Sequence, residues 1–270
     1  MDLQAYLQRI EYPGLLKRGS SDLPSIDLLS IDRPNGDLLR ALHRAHLFTV
    51  PFENLDISLG RKIVCDEAPI VRKIVNEHRG GFCYELNGAF AALLRALGFE
   101  VTLLSAQVAR EEGSLSPEFD HLTLRVDLEE PWLADVGFGE CFLDPLRLDS
   151  RMEQPQSGGV YRLTGPSPSE DRLLGLEALV EGNWRRQYAF TLQPRDLSEF
   201  AGMCHYHQTS PDSHFTRQRI CSLATPEGRL TLSDKELIEQ HSGSRRERLL
   251  TGEEEWRATL CERFGVILPK

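Results

Sequence analysis

The residue types best suited to chemistry in this sequence are a cysteine, a histidine and an aspartate that can act as one nucleophilic unit. Cys83 lies in the segment RGGFCYELNGAF, directly before a predicted helix. A helix N-terminus offers partial positive charge and free N–H groups, which favour a thiolate. Gly80 and Gly81 have no side chains, so the backbone can bend and a substrate can approach. The alternative is an ordinary buried core cysteine.

A nucleophilic thiol needs a base and a carboxylate that orients it, and His121 and Asp135 are the candidates. His121 opens the alternating segment HLTLRVDL, and Asp135 lies in the next predicted strand, WLADVGFG. In a triad the imidazole takes the thiol proton, while the carboxylate fixes its tautomer. An idealised short turn would place Asp135 nearer Arg125 than His121, so the pair requires a bulge, strong twist or different turn. Taken alone, His121 is more typical of a surface histidine at a strand end, and Asp135 of a carboxylate beside a turn, than of a catalytic group; the three residues in this order favour catalysis.

The elements that must position these residues change type along the chain. Helical periodicity predicts helices over 36–48, over APIVRKIVNEH and after Cys83, with Gly98 at the end of the third. Strand periodicity follows in VTLLSAQV, HLTLRVDL, WLADVGF, VYRLT, LEALVEG and WRRQYAFTL, separated by turns such as GPSPSED. These strands predict a largely antiparallel sheet or barrel. ICSLATPEGRLTL predicts a hairpin, and Thr-Gly-Glu-Glu from Thr251 predicts the capped start of a helix that ends near Gly265.

Composition and charge limit the class of function. The chain of 270 residues has 41 acidic and 31 basic side chains and a formal net charge of -10. This balance argues against a general binder of nucleic acid or anionic membranes, although a local pocket can still hold an anionic cofactor. No apolar run approaches the ~18 residues of a membrane helix, and the N-terminus lacks a signal-peptide pattern. With six scattered cysteines, we expect a cytoplasmic protein with reduced thiols.

Taken together, the motifs resemble the arylamine N-acetyltransferases. RGGFCYELNGAF, a DHL-type histidine and ADVGFG occur in order, with AHLFTVPFENLDI at 45–57 and HQTSPDSHFTRQRICSL at 207–223. The resemblance therefore covers most of the chain. It implies a mixed α+β fold with a cysteine-protease-like catalytic core. Its parts would be a helical bundle over 1–97 with Cys83, a β-barrel over 98–200 with His121 and Asp135, and a C-terminal α/β lid over 201–270.

The resemblance also implies a ping-pong acetyl transfer of the kind used in xenobiotic metabolism, with Cys83, His121 and Asp135 as the triad. Acetyl-CoA would acetylate Cys83, and an arylamine, hydrazine or arylhydroxylamine would then take the acetyl group. Two rival interpretations use the same residues, an amide synthase fed by a carrier-bound acyl thioester and a cysteine amidohydrolase. A non-catalytic module that retains the fold is a further alternative. The acceptor, the acyl length and the oligomeric state, including a homo-oligomer, stay open.

Residues that would contact the cofactor are implied by the same resemblance. The loop after Asp135 resembles the family's pocket-lining loop, whose N–H groups would face an anionic cofactor and whose aromatic ring would face an aromatic amine. Polar positions in the segment 207–223 resemble those that approach the CoA end of the cleft. The expected contacts are Gly137, Phe138, Gly139, Thr209, Ser210 and Ser213.

A charged network near the active site is implied by three further matches. Arg9 in LQRI, Glu53 in PFENL and Arg79 in RGGFC resemble positions that support the loop presenting the nucleophile. The alternative is three unrelated surface charges. We expect the network to be structural.

No metal or nucleotide site is expected. The run Cys204-His205-Tyr206-His207 lacks a paired-ligand spacing, and the resemblance accounts for it without a metal. The family often has asparagine where this chain has Cys204, which affects hydrogen bonding in the third part of the fold. No phosphate-binding GxxxxGK or dinucleotide-binding GxGxxG motif occurs. Nucleotide hydrolysis and hydride transfer are therefore unsupported.

Overall fold

The N-terminal third of the protein is helical, as its periodicity predicts. The structure is a computed structural model that describes residues 1–12, 14, 33–165, 172–241 and 243–269. The helix Cys83–Ala96, here called α5, is buried along nearly its whole length and contributes many side chains to the core of this part. The helices are α1 (Leu3–Arg9), α2 (Gly36–Thr49), α3 (Leu55–Ser58), α4 (Glu67–Val75) and α5 (Cys83–Ala96).

Local capping signals set the ends of these helices. Asn35 begins α2 by accepting the Leu38 N–H on its side chain at 2.9 Å. At the other end of the bundle, α5 gives way to Gly98, which has a φ of 87°. Only glycine adopts that conformation readily, so the predicted stop is present.

The central part is an antiparallel, barrel-like sheet of eight strands in the order β5-β4-β3-β2-β9-β8-β7-β6. Its apolar side chains form a core of their own, which includes Leu104, Leu133, Phe142 and Phe190. The predicted turn at 165–171 lies almost wholly outside the described residues. The strands are β2 (Glu100–Val108), β3 (His121–Asp127), β4 (Pro131–Ala134), β5 (Leu146–Arg147), β6 (Gln154–Gln156), β7 (Gly159–Thr164), β8 (Leu174–Val180) and β9 (Asn183–Arg195).

The last part combines a second sheet with two helices. The hairpin predicted at 220–232 is present, with Thr225 paired to Gly228 at its turn. The strand β1 (Phe52–Glu53) from the helical third pairs with β10 and so joins the N-terminal part to this sheet. The other elements are α6 (Ala201–Thr209), β10 (Ile220–Thr225), β11 (Gly228–Ser233), β12 (Glu236–His241), β13 (Ser244–Leu249) and α7 (Glu253–Phe264).

The predicted N-cap of the terminal helix is wrong by one residue. Gly252, not Thr251, is the N-cap of α7. Thr251 instead donates its N–H and hydroxyl to one oxygen of Glu255, each at 2.7 Å. The end near Gly265 is confirmed, since this residue has a φ of 67°. No helix in the described part of the chain is both long and apolar enough to cross a bilayer.

Candidate active site

Cys83 is the first residue of α5, at the end of a chain segment held by close backbone packing. A Cβ on Gly80 would stand 1.8 Å from the Pro51 carbonyl oxygen, and one on Gly81 would stand 2.5 Å from a Glu85 carboxylate oxygen. These contacts, rather than access for a substrate, account for the two glycines. The Glu85 carboxylate also accepts the Phe82 N–H at 3.2 Å and fixes the first turn of the helix.

His121 and Asp135 form a direct pair, with 2.6 Å between His121 Nε2 and Asp135 Oδ2. His121 begins β3, and Asp135 follows the last residue of β4. Leu124 lies opposite Ala134, which brings Asp135 beside Thr123, diagonal to His121 and on the same face. Of the three features that could bring the pair together, the structure has a different turn: Asp127 pairs with Pro131, and residues 128–130 connect the two strands. No bulge interrupts this strand pair.

The Asp135 carboxylate is 1% exposed and accepts four hydrogen bonds. Besides His121, its donors are Asn87 Nδ2 at 2.8 Å, the Tyr188 hydroxyl at 2.9 Å and the Gly137 N–H at 3.0 Å. Burial, the largest single effect, raises the pKa of Asp135. The charge of His121 and the bonds from His121, Asn87 and Gly137 outweigh burial and lower that pKa overall. The group is therefore a carboxylate that orients the ring.

Asn87 and Tyr188 complete this arrangement, and sequence reasoning missed both. Asn87 lies one helical turn after Cys83, a spacing that placed it on the face of Cys83. Its Nδ2 also donates to the Leu122 carbonyl at 2.6 Å, and its Oδ1 accepts the Val136 N–H at 2.9 Å. Asn87 thereby bonds the helix that starts with Cys83 to Leu122 in β3 and to the residues that follow β4. No sequence pattern around Tyr188 indicated a site residue, because Tyr188 lies on β9, 53 residues after Asp135 in the chain.

The Cys83 sulfur lies beside both neighbours of His121. Sγ is 4.0 Å from the Asp120 carbonyl oxygen, and the Leu122 N–H donates a hydrogen bond to it. Burial raises the pKa of the Cys83 thiol, the Leu122 bond lowers it, and the charges of Asp120 and Asp135 raise it further. The net direction is upward. Because burial and these carboxylates favour the protonated thiol, we expect a thiolate near neutral pH to require His121 as the group that holds the proton.

A cavity of about 420 Å³ opens onto Cys83 and His121. The Phe138 ring forms one apolar wall and lies edge-on to His121, with ring centroids 5.0 Å apart. Gly137 and Gly139 also line the cavity, but the Gly137 N–H donates to Asp135, so it does not serve an anionic cofactor as expected. A Cβ on Gly137 would lie 2.8 Å from Cys83 Cα, which explains the need for glycine.

The three hydroxyl residues expected near CoA do not line this cavity. Thr209, Ser210 and Ser213 instead make short-range bonds within the segment 205–216. For example, Thr209 donates to the His205 carbonyl at 2.8 Å. The histidines His207 and His214 from the same segment do line the cavity.

Comparison with known proteins identifies the family. A family model described as N-acetyltransferase matches residues 37–270. The arylamine N-acetyltransferase of Escherichia coli strain K12 is 36% identical, over 86% of this chain and 83% of that protein. The pineal gland arylamine N-acetyltransferase isozyme NAT-3 of Gallus gallus is 34% identical, over 100% of this chain and 96% of its own length. The chain belongs to the arylamine N-acetyltransferase family.

Solved structures of arylamine N-acetyltransferases have the same fold. The enzyme from M. tuberculosis superposes with a TM-score of 0.82 at 32% identity, over 98% of this chain and 94% of that one. That of Mycobacterium marinum in complex with CoA gives 0.83 at 30% identity, over 98% and 93%. The family and the α+β fold class predicted from the sequence are confirmed.

The charged network includes two of the three predicted members. Arg79 contacts Glu53, with 2.9 Å from its Nε to Oε1. Arg9 does not join by an ion pair among the described residues. Its guanidinium donates to the backbone carbonyls of Thr49, Ile74 and Arg79, at 2.9, 2.9 and 3.4 Å. Arg9 therefore ties α1 to this region through main-chain oxygens.

Three charges that the sequence did not single out complete the network. Lys73 Nζ lies 2.7 Å from Glu85 and 2.9 Å from Asp56, and all three side chains are buried. The pKa of Glu85 is raised to about 7, because burial, together with the charge of Glu53, outweighs the charge and hydrogen bond of Lys73. The network thus reaches from β1 to the first turn of the helix that starts with Cys83.

The described residues contain no group of three or more His, Cys, Asp or Glu side chains placed to hold a metal ion. Cys204 is buried in α6 and accepts a contact from Gln208 Nε2 at 3.2 Å. His207 Nε2 is 3.0 Å from an Asp120 oxygen at the cavity wall. These side chains are engaged in packing and pairing.

Proposed function

We propose that this protein transfers an acetyl group from acetyl-CoA to an arylamine, hydrazine or arylhydroxylamine through an acetyl-Cys83 intermediate. The observation that supports this most is the His121–Asp135 pair, 2.6 Å apart, beside the Cys83 sulfur at the wall of one cavity. Relatives named arylamine N-acetyltransferases support the acceptor class, and the CoA complex of the M. marinum neighbour supports the donor. We place the reaction in the cytoplasm and in xenobiotic metabolism.

In the first stage Cys83 attacks the thioester. Because His121 Nε2 is bonded to Asp135, Nδ1 is the ring nitrogen that takes the thiol proton. The sulfur then forms a bond to the acetyl carbon, and the first N–H groups of α5, which have no acceptor within the helix, stabilise the negative oxygen. The carbon–sulfur bond to CoA breaks, and the imidazolium of His121 returns its proton to the leaving thiolate.

In the second stage the amine takes the acetyl group. Its nitrogen attacks the acetyl carbon, His121 accepts the excess proton, and the Cys83 sulfur leaves and is reprotonated. Phe138 and Phe215 supply apolar surface to an aromatic acceptor and keep that part of the cavity dry. Transfer requires the acetyl group on Cys83 to react with the amine faster than with water. The apolar walls favour this outcome because they bind an aromatic amine and exclude water.

The proposed cofactor contacts divide into two groups. Gly137, Phe138 and Gly139 line the cavity and stand beside the acylated sulfur. Thr209, Ser210 and Ser213 lie outside the cavity wall, so their contact with CoA requires the cofactor to extend past α6. We retain them as contacts to the distal part of CoA.

Intact-mass analysis after incubation with acetyl-CoA tests the proposal. We expect the mass of one acetyl group to appear on the peptide with Cys83 and to disappear when an arylamine is added. The matched variants are Cys83→Ala, which should not be labelled, and Cys261→Ala at an exposed thiol, which should label normally.

Other outcomes separate the alternatives. Labelling only by carrier-bound acyl thioesters would identify an amide synthase. Breakdown of the acetyl-enzyme at equal rates with and without arylamine would identify a hydrolase. A loss of turnover below tenfold in Cys83→Ala, or roughly 1.4 kcal/mol in barrier, would favour a non-catalytic role for this cysteine.

A further inference from the structure

Arg229 on β11 is a buried cation with no carboxylate in ion-pair contact among the described residues. Arg229 is 8% exposed. Its Nη1 donates a hydrogen bond to the Ser222 hydroxyl on β10 at 2.9 Å. Buried charges are normally paired, because removing a charge from water is costly and a neutral hydroxyl offsets only part of that cost. The position therefore holds an uncompensated positive charge.

Strand alternation explains why this charge faces the active site. Leu230 and Leu232 point into the core beneath α7, so Arg229 and Thr231 point to the opposite face of the sheet. Arg229, Thr231 and Ser222 all line the cavity that contains Cys83. The guanidinium is thus part of the cavity wall that the third part of the fold contributes.

Arg229 stands at a junction between two spaces. The Cys83 cavity adjoins a cleft of about 350 Å³ between the barrel and the second sheet, and Arg229 and Glu140 line both. Glu140 is exposed and is the carboxylate whose charge acts most on Arg229. Because solvent screens an exposed charge, Glu140 compensates the guanidinium incompletely. A substrate that passes from one space to the other passes this cation.

The geometry points to Arg229 as the residue that binds an anionic oxygen of a substrate at this junction. The ligand group is either the carboxylate of an acidic arylamine or a phosphate of the acyl donor, and both offer the guanidinium the same two-oxygen acceptor. The guanidinium is already largely shielded from water, so a ligand gains a charge-assisted bond at a smaller cost in hydration than at an exposed arginine. This inference rests on the proposed acetyl transfer and names the chemical class of its substrates.

Two pairs of substrates, each with one anionic and one neutral member, show whether Arg229 binds the arylamine carboxylate or a phosphate of the acyl donor. In the acylation half-reaction, acetyl-CoA is compared with 4-nitrophenyl acetate, which has no phosphate. In the transfer half-reaction, 4-aminobenzoate is compared with 4-methylaniline on the acetyl-enzyme. The variants are Arg229→Met, which keeps the apolar stem, and Arg229→Lys, which keeps the charge. Arg246→Met on the exposed strand β13 is the matched control.

In one of the two half-reactions, we expect Arg229→Met to lower the rate constant for the anionic substrate about tenfold or more relative to that for the neutral substrate. The affected half-reaction identifies the source. Arg229→Lys should retain part of the preference, and Arg246→Met should leave the ratio unchanged. Glu140→Gln should increase the preference for the anion, because a competing carboxylate is removed. An equal loss for all four substrates, or no loss, would overturn the inference and leave Arg229 a structural residue.

A binding measurement separates this inference from the proposed function. CoA and 4-aminobenzoate are titrated calorimetrically into the Cys83→Ala protein with and without Arg229→Met. Weaker binding of one ligand in the double variant supports the inference even where the wild type transfers no acetyl group. Unchanged dissociation constants for both ligands would refute it even where acetyl transfer is normal.

Discussion

Replacement of Asp135 by asparagine tests the orientation of His121 most directly. The substitution keeps the volume of the side chain but replaces one carboxylate oxygen by an NH2 group. Oδ2 accepts from His121 Nε2 and the Tyr188 hydroxyl, whereas Oδ1 accepts from Asn87 and Gly137. Either orientation of the amide therefore places its NH2 group against two donors.

The cost follows from the bonds that are lost. Each hydrogen bond to a charged group contributes about 1.5–3 kcal/mol, so two lost bonds cost about 3–6 kcal/mol. If the amide nitrogen faces His121, the ring bonds to it only with the proton moved to Nδ1, the atom that must accept from Cys83. We expect Asp135→Asn to slow acetylation roughly 10²–10⁴-fold.

The assay is quenched-flow acetylation of Cys83 by acetyl-CoA, read by intact mass, with circular dichroism and a thermal midpoint to establish that the variant is folded. Tyr188→Phe is the comparator, because it removes one donor and leaves the tautomer of His121 unchanged. It should slow acetylation less than Asp135→Asn. A folded Asp135→Asn protein that acetylates within tenfold of the wild type would refute the reasoning, as would an equal effect of the two variants.

Three other perturbations test the site. Alkylation of Cys83 by iodoacetamide should persist below the pH range of a free thiol in the wild type. In His121→Gln it should move above that range, because burial and the nearby carboxylates then outweigh the Leu122 hydrogen bond and raise the pKa of Cys83; superimposable pH profiles would contradict proton transfer to His121. Glu85 has a pKa of about 7 when folded, against 4.5 as the ordinary value, so the folded state retains a proton between these pH values. The free energy of unfolding should then fall by up to about 3 kcal/mol as pH rises from 4.5 to 7, and denaturant titrations of Glu85→Gln should lack this slope; an unchanged slope would assign it to other groups. Gly137→Ala should lower the thermal midpoint and acetylation together, since its Cβ would meet Cys83 Cα at 2.8 Å; wild-type values for both would show that the loop moves aside freely.

The sequence by itself determined the features that depend on neighbouring residues. The apolar spacing of α2 and α5, the alternation in β3 and the hairpin turn at 226–227 are local patterns, so their elements are where we predicted them. The motif around Cys83 placed this cysteine at the start of a helix and indicated the family. The division at residues 97/98 and 200/201 stays a prediction. By contrast β12 and β13 were missed, because the polar run SRRERL lies on an exposed edge and has no apolar alternation.

Only the tertiary structure decided which side chains meet. The turn between β3 and β4 set the register that brings Asp135 to His121, and a slip of one residue would have turned Asp135 to the opposite face of the sheet. Asn87 and Tyr188 reach the same carboxylate from a helix and a strand that are distant along the chain. The isolation of Arg229 is likewise a property of its surroundings. Periodicity records which face of an element is buried, but charge balance and hydrogen bonding depend on partners that folding brings from elsewhere in the sequence.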